Sequence, residues 1–121
     1  MLPHLGAGAG QAMEDGWVLA RALSEHLAAA SSSSPEASNP HFSTLDSTMS
    51  LYQSVRRPRA QKTQATSRRA GNEYEMQSEQ LLKLSFDDCL PVIAENMKER
   101  MKWVWEENLD EAYEGVRDKK E

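Results

Sequence analysis

The chain has 121 residues, of which 39% are hydrophobic, and a formal net charge of -5. This length fits one domain at most, with a modest hydrophobic core. The sequence has neither a run of about eighteen apolar residues nor the basic and apolar regions of a secretory signal, so we expect no membrane partner and a cytoplasmic location.

The chain opens with a glycine-rich turn that leads into a helix. Three glycines fall within positions 6–10, and small or apolar residues then recur at steps of three and four. This periodicity predicts one amphipathic helix from about Ala9 to Ala30. The first N–H groups of such a helix favour an anion or an electron-rich oxygen, and Glu14 and Asp15 suit the positive end of its dipole.

Residues 31–42 are rich in serine and proline, which predicts a flexible loop. A second helix is predicted from about Ser43 to Val55, with Ser43 or Thr44 as its cap. Pro58 then requires either a kink or a fresh helix that has proline in its first turn. Good helix formers continue to about Met76.

A basic run lies between Arg56 and Arg69, where six basic residues occur with no acidic one. No aromatic side chain interleaves with them to stack on a base, and the run belongs to no recognisable nucleic-acid-binding module. We therefore interpret the run as a solvated or intramolecularly paired helix face, and we expect no nucleic-acid partner.

The last third of the chain predicts further helices. An apolar pattern at helical spacing runs from Ile93 to Val104 after Pro91, and another apolar face follows a break near Asn108. Trp103 and Trp105 are expected to be packing anchors. Because no alternation of period two persists, we predict no sheet and an all-α chain of four to five helices with loops.

The residue types that carry acid–base, nucleophilic or metal chemistry are sparse. The three histidines lack the three- or four-residue spacing that would place two on one helix face, so we predict no metal site. Cys89 is the sole cysteine, and with no histidine near it in sequence it is expected to be buried and inert. The sequence offers no catalytic residue.

A longer pattern joins the turn to its helix, and its residues are Pro3, Gly6, Gly8, Ala12, Asp15 and Leu19. Their spacing resembles the C-terminal flavin-contacting motif of the single-component FAD-dependent aromatic hydroxylases, the salicylate hydroxylase-like monooxygenases. The whole run Leu2–Leu23 is similar to that segment, and Tyr52–Ala60 resembles the helices that follow it. The likeness reaches about residue 75 and thins beyond it.

This resemblance implies FAD as cofactor, NAD(P)H as reductant in the complete enzyme and a small aromatic substrate. Backbone N–H groups would face the pyrimidine oxygen of the flavin, and Pro3 would lie beside the reactive edge of the ring. His4 would be a structural bystander. The implied flavin-contacting residues are Pro3, Gly6, Ala7, Gly8 and Ala9.

The resemblance also implies a parent architecture. The sequence has neither a Gly-x-Gly-x-x-Gly turn after a strand nor the family's Gly-Asp-Ala-x-His segment. The chain is therefore interpreted as the C-terminal helical part of a parent α/β FAD-binding fold, incomplete on its own. It divides into a flavin-contacting turn and helix at 1–30, the loop at 31–42, a helical segment with the basic run at 43–76 and a C-terminal helical region at 77–121.

Two other functions are compatible with the sequence. A non-catalytic helical interaction fragment would bind a partner protein, or self-associate, through exposed apolar helix faces. A nucleic-acid binder would use the basic run, and its affinity would fall steeply with salt. The sequence alone does not decide whether the chain acts as an enzyme.

Overall fold

The computed structural model describes residues 3–32, 39–100 and 102–119. Within these ranges the secondary structure is helical and contains no strand, which confirms the all-α prediction. None of the helices there has both the length and the apolar character needed to traverse a lipid bilayer. The helices are α1 (Gly8–Ser31), α2 (Leu45–Tyr74), α3 (Phe86–Arg100), α4 (Lys102–Glu106) and α5 (Leu109–Arg117), with short 3-10 turns at Pro3–Leu5 and Pro40–Phe42.

Helix α1 confirms the predicted span of Ala9–Ala30 to within one residue at each end. Val18 and Ala22 are fully buried on its apolar face. In its last turn the Ser31 hydroxyl donates to the Leu27 carbonyl at 2.8 Å, a side-chain hydrogen bond back to the preceding turn of the helix. Local periodicity is sufficient to define this helix.

Half of the predicted flexible loop, residues 33–38, lies outside the described residues. On its C-terminal side, the Asn39 side chain accepts a hydrogen bond from the His41 N–H at 3.0 Å and caps the turn Pro40–Phe42. The flexibility of the loop therefore stays a prediction, whereas the chain that follows it is regular.

Helix α2 is continuous from Leu45 to Tyr74, so the alternative of a fresh helix start at Pro58 was wrong. Its N-terminus is closed by a reciprocal pair, in which Ser47 N–H donates to Thr44 Oγ1 at 3.1 Å and Thr44 N–H donates to Ser47 Oγ at 3.2 Å. Pro58 removes one donor, but Pro58 and Ser54, whose carbonyl loses its partner, are both exposed. Water can therefore replace the lost hydrogen bond.

Pro91 was also placed wrongly, since it was expected to precede its helix and instead lies inside α3. The helix begins at Phe86, and Ser85 Oγ accepts from the Asp88 N–H at 3.3 Å at this end. Pro91 is exposed, as is Asp87, whose carbonyl would have accepted the missing N–H. As in α2, a proline on the solvent face does not end the helix.

Contacts divide the chain into two compact units. The first comprises Met1–Gly8 and Gln61–Glu107, and the second comprises Ala9–Ala60 and Asn108–Glu121. This second unit contains an apolar core supplied by α1, α2, α5 and the turn before α2. Its buried residues are Val18, Ala22, Phe42, Leu51, Val55 and Tyr113. Burial raises the pKa of Tyr113 to about 12, assisted by the nearby Glu25 carboxylate and opposed by the charge of Arg21.

Helix α5 is fastened to α1 within the same unit by Arg21. Its guanidinium donates to Asp110 at 2.8 Å and to Glu114 at 3.0 Å. The same group lies over the rings of Tyr113, at 4.4 Å, and Trp17, at 5.3 Å. One side chain therefore combines ion pairs with cation–π contacts, which orients α5 on α1.

The first unit comprises Met1–Gly8 and Gln61–Glu107, and it buries fewer apolar side chains. Ala70, Leu81 and Cys89 are the buried apolar residues in its described part. The Cys89 thiol donates to the Leu81 carbonyl across 3.6 Å, which confirms the expected buried cysteine. Polar contacts hold much of the remainder of this unit, including a buried ion pair between Arg100 and Glu73.

The two tryptophans do not act alike. Trp103 is half-buried, with the Lys62 ammonium 4.2 Å from its ring centroid, whereas Trp105 is 77% exposed. The expectation that both are packing anchors was therefore wrong for Trp105. The reason is geometric, because residues two apart on the short helix α4 lie on different sides of it.

Leu51 and Leu82 provide a matched test of the core. Leu51 is 1% exposed and Leu82 is 67% exposed. Leu51→Ala should lower the free energy of unfolding by about 2–5 kcal/mol, because it leaves a cavity as well as removing buried surface. Urea unfolding followed by circular dichroism measures this loss, and Leu82→Ala should change stability by less than about 0.5 kcal/mol. Equal losses in the two variants would contradict the core assignment.

Candidate functional site

The N-terminal turn is a closed local structure. Pro3–Leu5 forms a 3-10 turn, and the Gly6 N–H donates to the Pro3 carbonyl at 3.0 Å. Gly6 has a φ of 62°, in the left-handed region that glycine adopts without steric cost. Glycine is therefore required here to reverse the chain before α1 begins at Gly8.

Beyond the turn, a short stretch of backbone donors is available. The Ala7 N–H donates to no other described residue, and Gly8 and Ala9 are the first residues of α1, whose N–H groups have no acceptor within the helix. Gly8 and Ala9 are exposed, and a Cβ placed on Gly6 or Gly8 would meet no atom within 4 Å. An electron-rich oxygen can therefore approach these donors closely.

The first turns of α1 are tied to α2 by ionic hydrogen bonds. Glu14 receives hydrogen bonds from Arg56 Nη1 at 2.6 Å, Arg59 Nε at 2.6 Å and Arg59 Nη2 at 2.7 Å. Arg56 Nε donates to Asp15 at 2.6 Å, and its Nη2 donates to the backbone and side-chain oxygens of Gln11 at 3.3 and 3.0 Å. We call these five residues the arginine clamp.

The arginine clamp changes the interpretation of the acidic pair. Glu14 and Asp15 were expected to complement the helix dipole, and in addition they bind the basic residues of α2. The basic run is a paired face at Arg56 and Arg59, as predicted, while Arg57 is exposed. The sequence contains a basic run without acidic residues and, elsewhere, the acidic pair Glu14 and Asp15. These two features did not specify which acidic residue would pair with which arginine.

The electrostatics of Glu14 follow from this geometry. Partial burial raises the pKa of its carboxyl. Hydrogen bonds from Arg59 and Arg56, together with their charges, lower the pKa by more than burial raises it, so the net pKa lies below the ordinary value of 4.5. Arg56 is only 3% exposed, and a charge at that depth needs a partner. Ionised Glu14 therefore belongs to the folded state.

The histidines of the described residues make packing and hydrogen-bond contacts. Within residues 3–32, 39–100 and 102–119, no group of three His, Cys, Asp or Glu side chains could hold a metal ion. The His26 Nδ1 lies 2.9 Å from the Phe42 carbonyl oxygen and joins α1 to the turn before α2. His4 packs against Tyr74 with ring centroids 6.2 Å apart.

Two curated proteins match this chain, and both are salicylate hydroxylases of Pseudomonas putida. One is 37% identical over 116 residues and the other is 34% identical over 110 residues, and each match covers 91% of the chain. This chain is similar to a segment of salicylate hydroxylase. The resemblance predicted from the N-terminal motif is therefore confirmed.

The match is partial with respect to the relatives, since the chain spans 21% of the length of each salicylate hydroxylase. No family model matches the chain, and no solved structure is significantly similar to it. Contact of Pro3, Gly6, Ala7, Gly8 and Ala9 with a flavin stays a prediction.

The arginine clamp should give the protein an acid-sensitive contribution to stability. Because the folded-state pKa of Glu14 is depressed, its stabilisation is present above the unfolded-state value of about 4.5 and is lost as the pH falls through the lower folded-state pKa. Glu14→Gln should lower the free energy of unfolding by about 2 kcal/mol at neutral pH and flatten its fall on the acid side.

Urea titrations between neutral and acid pH measure both effects. Glu79→Gln is the matched control, because Glu79 is exposed and should leave the pH dependence unchanged. An unchanged stability in the Glu14 variant would show that the clamp does not hold the two helices together.

Proposed function

We propose that this chain is the C-terminal, flavin-contacting part of an FAD-dependent monooxygenase that uses NAD(P)H to hydroxylate a small aromatic substrate. The observation that carries the proposal is the run of backbone donors at Ala7–Ala9, directly after the left-handed turn at Gly6, in which Ala7 is half-buried and Gly8 and Ala9 are exposed. The similarity to salicylate hydroxylase over 91% of the chain supports it.

The turn fits the pyrimidine edge of a flavin on chemical grounds. That edge presents carbonyl oxygens, which accept hydrogen bonds from N–H groups such as those of Ala7, Gly8 and Ala9. The glycine positions leave open space, so the flat ring could approach the backbone. The positive end of the α1 dipole would also stabilise negative charge on the ring.

The residues of the turn have distinct roles in this proposal. Gly6 shapes the chain, because its own N–H already donates to Pro3 and its φ is positive. Pro3 would lie beside the ring edge, and the N–H groups of Ala7, Gly8 and Ala9 would donate to the pyrimidine oxygens. When bound, the flavin supplies the redox and oxygen chemistry, while these residues bind and orient it.

The arginine clamp supports this role by fixing α1 before any ligand arrives. Arg56 binds the backbone oxygen of Gln11, two residues after Ala9. Electrostatic stabilisation is effective when the dipoles are already oriented, because no reorganisation is needed on binding. A helix start held by a buried guanidinium meets that requirement.

A hybrid enzyme tests the proposal. Residues 1–121 replace the matching segment of Pseudomonas putida salicylate hydroxylase, and the purified hybrid should contain stoichiometric FAD and oxidise NADH in response to salicylate. In the hybrid, Gly8→Val should lower flavin occupancy at least about tenfold, because a branched side chain would cover the backbone donors. A tenfold loss of affinity corresponds to about 1.4 kcal/mol of binding free energy.

Gly16→Val is the matched control, because Gly16 lies on the same helix with open space around it and outside the turn. It should leave flavin occupancy unchanged. Full occupancy in the Gly8 variant, or a folded hybrid without flavin, would rule out the proposed contact.

One observation favours a second function, a non-catalytic helical interaction fragment. The described part of residues 61–107 exposes several large apolar side chains, which mark surfaces suited to protein contacts. They are Leu82, Leu84, Phe86, Leu90, Met97 and Trp105.

Self-association of the purified chain tests this second function. Sedimentation should show a concentration-dependent oligomer that Trp105→Glu weakens, because a charge would enter an apolar contact. Lys119→Glu, at an exposed position outside that region, is the control. A monomer at all concentrations would remove the support for self-association.

A further inference from the structure

Gly71 is buried inside α2 at a place where a side chain has no room. A Cβ built on Gly71 would lie 2.7 Å from His4 Nε2 and 2.8 Å from His4 Cδ2. Real Cβ atoms do not approach other atoms so closely, so the imidazole occupies the space that any other residue would fill. The ring of His4 is therefore seated on bare helix backbone.

The other helical glycines show that this arrangement is specific. Gly16 in α1 and Gly115 in α5 have open space where a Cβ would be, although glycine is unfavourable inside a helix compared with alanine. Gly71 has the same propensity disadvantage, and it alone among the six glycines has a neighbour, the His4 ring, that an added Cβ would displace.

The surface that receives His4 is itself held in place. The His4 and Tyr74 rings meet edge to face, with centroids 6.2 Å apart and planes inclined by 64°. The Tyr74 hydroxyl accepts a hydrogen bond from Arg100 Nη1 at 3.2 Å, and Arg100 also pairs with buried Glu73. His4 therefore contacts a surface whose side chains are joined to one another by a hydrogen bond and an ion pair.

His4 belongs to the turn that precedes the backbone donors. It is the central residue of the 3-10 turn Pro3–Leu5, and the hydrogen bond from Gly6 N–H to the Pro3 carbonyl encloses it. The residue that contacts Gly71 therefore lies within the short closed loop from which Ala7 and Gly8 follow.

We propose that His4 and Gly71 are positioning residues, in which the imidazole seats in the gap left by Gly71 and holds the turn Pro3–Gly8 in place. The effect of this docking on flavin rests on the proposed function, whereas the docking itself does not. In this proposal His4 holds the turn, and Gly71 provides the space into which its ring packs.

The test uses the 121-residue chain and nuclear magnetic resonance. Gly71→Ala should shift the His4 ring resonances and lower the backbone order parameters of Gly6, Ala7 and Gly8 from rigid values near about 0.85 toward about 0.6. Gly115→Ala, the same change in a helix with open space, should leave them unchanged.

His4→Ala keeps the test decisive if Gly71→Ala perturbs folding. It should loosen the turn to the same extent, and Gly71→Ala added to it should cause no further loosening, because the clashing ring is absent. A rigid turn in His4→Ala, or additive effects in the double variant, would overturn the docking.

The flavin consequence is measured in the hybrid enzyme. His4→Ala should lower flavin occupancy several-fold, and undiminished occupancy with a loosened turn would overturn the positioning role. If the unmodified hybrid contains no flavin, the proposed function fails, while the order parameters of the free chain still decide whether His4 docks on Gly71.

Discussion

The interaction on which the second unit depends is the sharing of the Glu14 carboxylate by Arg56 and Arg59. Arg56 is almost completely buried, and an unpaired charge at that depth would cost several kcal/mol. Its guanidinium therefore requires acceptors in a fixed arrangement, which Glu14, Asp15 and Gln11 supply. A change of register between α1 and α2 would separate these partners. Charge-assisted hydrogen bonds depend on direction as well as distance, so the clamp adds geometric specificity to the packing of the helix pair.

This constraint bears on the proposed function because it acts at the start of α1. Backbone donors are useful to a ligand only when their direction is set in advance. Arg56 reaches the Gln11 backbone in the first turn of the helix, and the positive φ of Gly6 sets the chain direction before it. The acidic residues that complement the helix dipole thus have a second role, since they also bind the arginines that immobilise the helix.

Helix α1 and the break at Asn108 were predictable, because both arise from local signals. The spacing of small and apolar residues defines α1, and the Asn108 side chain caps α5 by accepting from the Asp110 N–H. The two prolines were not predictable to the same degree. Whether Pro58 or Pro91 ends a helix depends on whether the carbonyl left without a donor is open to solvent, and that depends on which face the tertiary structure buries.

The sequence by itself determined the helical class, the glycine turn with its following helix and the resemblance to salicylate hydroxylase, because these are encoded in periodicity and spacing between neighbours. The tertiary structure alone decided which charges pair and which side chain lies against Gly71. Arg56 and Glu14 are 42 residues apart in the chain, and no local pattern specifies which acid among many will meet a given arginine. His4 and Gly71 are likewise distant in sequence, and only the folded chain places the His4 ring in the space that a side chain at position 71 would occupy.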